Sequence, residues 1–162
     1  MTFATLSRFR RDESGTALVE FGLLLPTLLL FLAISVEGSR TFWSYQTTIT
    51  GVRDATRYLS RVVAADICAT GGSTTAWDDK LGEIVRTSQD GQSLFPAAVT
   101  IGAVTSSLTC ATGAYRSGQA SVASVTAQLQ IDYPFAGLFS LVGASVSTVN
   151  TTVTDSARML GS

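Results

Sequence analysis

Hydrophobic and polar positions change their spacing along this chain, and each change marks an element. From Ala17 to Val36 nearly every position is apolar, and Glu20 carries the only charge. About twenty such residues make a helix long enough to cross a bilayer once. Beyond Val36 the apolar positions thin to a stripe. Phe42, Tyr45, Ile49, Val52, Tyr58, Leu59, Val62 and Val63 recur at threes and fours, so the helix is predicted to continue to about Ala65. A continuous helix from Thr16 would extend roughly 75 Å, membrane anchor and stalk in one element. Arg53, Arg57 and Arg61 stand four apart on another face and read as solvated surface.

Pro26 interrupts the apolar run. Its ring crowds the carbonyl four residues back, at Gly22, and one helical hydrogen bond is lost. A kink or short melted stretch is expected at Gly22–Pro26, which membrane helices tolerate better than soluble ones.

"CATGGSTTAW" ends the long helix with two glycines and a polar cluster. A short helix is predicted from about Ala76 to Ser88, with Thr75 as N-cap, Asp78 and Asp79 in the first turn, and Trp77, Leu81, Ile84 and Val85 on one face. "QDGQS" follows as a turn. Its Asp90-Gly91 is like a fragment of a calcium loop without the remaining carboxylates, so the turn is the preferred reading. The period then becomes two. Ala97–Val104 reads as a strand. In "SVTAQLQIDY", Val125, Ala127, Leu129, Ile131 and Tyr133 face one way, while Thr126, Gln128, Gln130 and Asp132 face the other. Pro134 ends that strand, "FAGLFSLVG" makes an apolar connection, and Ala144–Thr154 supplies a last strand. The expected fold is α+β and pilin-like: a long N-terminal transmembrane and stalk helix, then a short helix and a small antiparallel sheet of three or four strands.

Composition narrows the chemistry. Of 162 residues only 14% are charged, against about 25% in an ordinary soluble domain. The formal net charge of -1 gives no electrostatic case for nucleic acid. Histidine is absent, which removes the commonest general base and the commonest metal ligand together. Many serines are present, but none has a histidine to activate it. Asp78, Asp79 and Glu83 are better explained by helix capping and solvation than by acid–base work. No phosphate-binding glycine loop or metal-ligand cluster appears, so no enzyme and no cofactor is expected. Cys68 and Cys110, each opening a "CATG", do not make a zinc site on their own. They are buried thiols or, if the distal part meets an oxidising compartment, a disulfide. Closing a loop of about forty residues would stabilise by roughly 3–4 kcal/mol in the chain-entropy model.

Before the apolar run stand Arg8, Arg10 and Arg11, partly offset by Asp12 and Glu13. They hold the N-terminus in the cytoplasm and send the C-terminal part across the membrane. A cleavable secretory signal competes with this reading, because Ala33–Ser35 offers small residues for signal peptidase. That alternative would release a periplasmic or cell-surface binding or adhesive domain near Ser35. The length of the run and the position of Glu20 weigh against it.

Gly15, then Thr16 to Val19, then Glu20-Phe21 leading into a long apolar helix, resembles the processing site of type IV prepilins, and in particular the Tad (tight adherence) branch. "FRRDESGTALVEFGLLLP" is similar to the TadE/TadG-like minor pilins, or pseudopilins, with TadE-like the nearer. "GVRDATRYLSR" and "VTAQLQIDYPFAGLFSLVG" resemble the stalk and C-terminal regions of that family. The major pilins of the system are far shorter, so a chain with a folded distal part fits a minor component.

The resemblance implies a cytoplasmic leader at 1–15, a transmembrane helix at 16–36, a periplasmic stalk at 37–66 and a periplasmic α+β domain at 67–162. It implies cleavage by a prepilin peptidase between Gly15 and Thr16, with Glu20 and Phe21 as recognition residues. The partners it implies are the inner membrane, that peptidase, other Tad pilins and pseudopilins, and the Tad inner-membrane assembly platform. It also implies that Glu20 meets the new amine of Thr16 on a neighbouring subunit. An unpaired carboxylate in the bilayer costs about 2.5–3.5 kcal/mol even on the lenient insertion scale. Pairing offsets that cost only in the correct register.

Overall fold

In the computed structural model the described residues are 15–115 and 119–161. The leader with Arg8, Arg10, Arg11, Asp12 and Glu13 lies outside them. Helix α1 spans Thr16–Val62, 47 residues, and its helical course is unbroken at Gly22 and Pro26. At 1.5 Å per residue this is about 70 Å. It stops short of Ala65 because the backbone there has other partners. Val63 turns extended, Leu160 N–H donates to the Ser60 carbonyl at 2.8 Å, and Ala65 N–H donates to that of Gly161 at 2.8 Å. The far end of the sequence thus clamps the end of the stalk.

A single-turn helix α2 (Ile67–Thr70) ends at Gly71, whose φ of 70° is left-handed. Helix α3 is Asp78–Arg86, preceded by a 3-10 turn, Thr75–Trp77. Trp77, not Thr75, occupies the N-cap of α3, and no side chain caps it. Asp78 is committed elsewhere, as described below.

Strands β1 (Val99–Thr112), β2 (Gln119–Asp132) and β3 (Thr148–Arg158) form one antiparallel sheet in the order β1-β2-β3. β1 runs beyond Val104 because it stays in register with β2 as far as Thr112–Gln119, after one irregularity between Ile101 and Val104. Serine and threonine on both faces hide that extension from a hydrophobic alternation. β3 begins at Thr148 because Tyr133 N–H donates to Ser147 O at 2.8 Å, closing 133–147 into a loop. Within that loop lies the short helix α4, Ala136–Ser140. In β2 the alternation is as expected: Val125, Ala127, Leu129 and Ile131 are buried, and Gln128 and Gln130 are exposed.

The core lies between the sheet and two helices. Val52, Ala55, Leu59 and Val63 of the stalk, with Leu81 and Val85 of α3, close over the inner face of β2. The outer face is a hydroxyl ladder, with Thr126–Thr154 at 2.9 Å and Ser124–Ser156 at 2.7 Å.

The stalk's buried stripe holds Val52, Leu59 and Val63 as expected and departs from expectation in its lower part. Phe42 and Tyr45 are 66% and 40% exposed, whereas Ser44, Thr48, Gly51, Thr56 and Ser60 are buried. Small side chains let neighbouring elements approach closely. Thr48 and Thr56 return their hydroxyls to the carbonyls of Ser44 and Val52, at 2.8 and 2.7 Å, which satisfies them inside the core. A Cβ on Gly51 would stand 3.1 Å from Val85 Cα, so the backbones of α1 and α3 approach each other closely here.

Candidate functional site

The N-terminal third of α1 touches almost nothing. Leu18, Phe21, Leu23, Leu28, Phe31 and Leu32 are all more than half exposed. The stretch is long and apolar enough to cross a membrane once. Exposed leucine and phenylalanine on this scale form a surface for lipid or for other helices, not for water. Gly15 is the N-cap of α1 and Thr16 its first residue. Thr16 and Glu20 are four apart, which puts both on one face, and Phe21 follows with 59% exposure. A Cβ built on Gly15 meets nothing within 4 Å. Folding therefore does not require glycine there.

At the other end of the apolar run the helix meets the distal part. Glu37, the first charge after Glu20, is only 3% exposed. Its Oε1 accepts the Phe135 backbone N–H at 3.0 Å, and its Oε2 lies 3.3 Å from Arg40 Nη1. One turn up, Thr41 Oγ1 donates to the Tyr133 hydroxyl at 3.2 Å. One turn down, Ala33 is 2% exposed while Leu32 and Ile34 beside it are open. The β2–β3 loop is thus pinned to α1 around Glu37. Sequence reasoning missed this residue, because a glutamate at the end of an apolar run looks like ordinary interfacial charge. The one local signal was Arg40, three residues on.

Three further features set the distal part. Asp78 Oδ1 accepts both the Ser106 N–H at 2.9 Å and the Ser106 hydroxyl at 2.6 Å, tying the start of α3 to β1. Cys68 and Cys110 are joined in a disulfide across 42 positions, linking α2 to β1. Asp90 accepts the Ser88 hydroxyl at 2.7 Å, and that bond holds its carboxyl below the usual carboxylate range. With Gly91 at φ 78°, this segment is a self-bonded turn. A groove between α1 and α3 includes Trp43, Asp54, Lys80 and Glu83. Lys80 donates to Glu83 at 2.8 Å, which raises the lysine pKa. Among the described residues no three potential metal ligands cluster.

The geometry defines a class: an α+β protein built on one long helix, apolar and uncovered in its first half, buried against a small sheet in its second. Residues 15–57 match the model of the TadE-like protein family, so the chain carries a TadE-like segment that begins at the glycine capping α1. This match supports a protein associated with the Tad pilus. No curated protein and no solved structure matches the chain.

Proposed function

We propose that this chain is a minor pilin, or pseudopilin, of a Tad pilus apparatus. The observation that carries the reading is where the TadE-like match falls: it starts at Gly15 and covers the uncovered helix and the first part of the stalk. A prepilin peptidase cuts between Gly15 and Thr16 on the cytoplasmic side, reading Glu20 and Phe21. The mature chain stays in the inner membrane through residues 16–36, with the stalk and the sheet in the periplasm. It acts without catalysis, as an initiating, priming or tip-proximal subunit, and its output is surface adherence and biofilm formation. Its partners are the peptidase, the other Tad pilins and pseudopilins, and the inner-membrane assembly platform. In the assembled bundle Glu20 meets the Thr16 amine of a neighbour. Cleavage near Ser35 would instead cut inside α1, just ahead of the buried Glu37.

Co-expression with a prepilin peptidase tests the assignment. The unaltered chain is expected to gain mobility and to start at Thr16 on N-terminal sequencing. Gly15→Phe is expected to abolish the shift while leaving the fold intact, since position 15 faces open space. A shift that persists in Gly15→Phe, or a mature start at Val36, would overturn the proposal.

A further inference from the structure

Charge is missing where a water-facing surface ought to carry it. The loop 133–147 contains no charged residue. Four of its large apolar side chains are open: Phe135 at 40%, Leu141 at 75%, Val142 at 62% and Val146 at 47% exposure. Single exposed apolar side chains are routine on soluble proteins; a charge-free loop bearing four is an apolar patch. The loop is not slack. Its base is closed by Tyr133 N–H to Ser147 O, the Tyr133 and Phe139 rings meet edge to face at 6.4 Å, and Ala144 N–H returns to Phe139 O at 3.1 Å. The open side chains are therefore held outward on a built support.

Its position along α1 says what they face. The loop reaches α1 at Thr41 through the Tyr133 hydroxyl, then at Glu37 through the Phe135 amide. That is a descent of about 6 Å toward the apolar run. Helix α4 also packs on α1, and one turn below Glu37 the side chain of Ala33 is buried. Val36 is the last residue of that run, so the loop arrives at the level where the helix leaves the hydrocarbon. On α1 itself, Phe42, Trp43 and Tyr45 are exposed a few residues further on. Aromatics of this kind gather at the headgroup level.

We infer that the β2–β3 loop is a second membrane contact, with Leu141 and Val142, flanked by Phe135 and Val146, seated in the headgroup–acyl boundary of the leaflet from which α1 emerges. The inference rests on the membrane-spanning part of the proposed function. Lipid is the occupant because the patch continues the lipid-facing surface of α1 at the same level and offers no charge for a protein partner to pair. A single helix leaves the attached domain free to spin about the helix axis. A loop embedded beside it removes that freedom, and the Glu37 contacts transmit the constraint to the stalk.

Depth-dependent quenching of the full-length chain in phosphatidylethanolamine/phosphatidylglycerol nanodiscs tests this. With Trp43→Phe and Trp77→Phe as background, single reporters are placed by Leu141→Trp, Leu28→Trp and Ser107→Trp. Ser107 is exposed and about 30 Å along the sheet from Tyr133. Lipid brominated at shallow acyl positions is expected to quench Leu141→Trp at least twofold more than Ser107→Trp, and iodide in the buffer to do the reverse. Leu28→Trp reports the span itself. If Leu28→Trp is quenched by lipid and Leu141→Trp is not, the loop faces water or another subunit and the inference fails. If Leu28→Trp is not quenched either, the membrane-spanning reading falls and the loop contact with it.

Discussion

Glu20 and Glu37 are the carboxylates of the lower half of α1, and the folded chain surrounds them in opposite ways. Glu37 is buried and fully engaged, by Arg40 on its own helix and by a backbone amide from 98 positions away. That second partner is why its role was not legible in the sequence: a local pattern cannot show which distant N–H will arrive. Glu20 stands on an open helix face, one turn from Thr16. Its position relative to Gly15 was legible, because the motif is local and needs no tertiary partner. The pairing proposed for Glu20 predicts that Glu20→Gln still folds and is still made, yet enters the pilus assembly less efficiently. The measurement is the fraction of the subunit recovered in sheared filaments or in complex with other pilins. Recovery equal to that of the unaltered chain would remove the pairing.

At the scale of elements, period told helix from strand correctly, and it found the buried side of the upper stalk (Val52, Leu59 and Val63) but not of its lower part. The stripe was expected to begin with Phe42 and Tyr45, and those two large side chains are exposed. The structure packs the face bearing Ser44, Thr48 and Gly51 instead, since small residues allow closer approach than large ones. Backbone proximity, not side-chain hydrophobicity, decides the contact at Gly51. Gly51→Val adds atoms against the Val85 backbone and is expected to destabilise by about 1–3 kcal/mol. A thermal melt in detergent should show it as a lower Tm. Gly38→Ala is the control, because a Cβ at Gly38 meets nothing within 4 Å and alanine favours the helix. An unchanged Tm in Gly51→Val would mean α3 can move away freely. Strand boundaries were the least legible feature. Their ends depend on pairing with β2 and on the closure at Tyr133–Ser147, neither of which leaves a hydrophobic signature.

Across the whole molecule, the α+β plan was readable because the apolar run, the stripe and the alternation follow one another without overlap. The thiols were not decided by sequence, which left burial and bonding both open. The disulfide lies just beyond the end of α1 opposite its apolar run, joining α2 to β1. Its position has a mechanical consequence. In the proposed role as a pilus subunit, load applied along α1 would leave the helix at Val62 through the clamp at Gly161 and through the covalent link to β1. The 42 positions between the cysteines cannot pay out while the bond holds. Pulling the oxidised chain by its two ends should therefore release roughly 130–145 Å less length on unfolding than pulling the reduced chain. Single-molecule force extension with and without reductant reads that difference directly, and equal contour lengths would show that the tie carries no load.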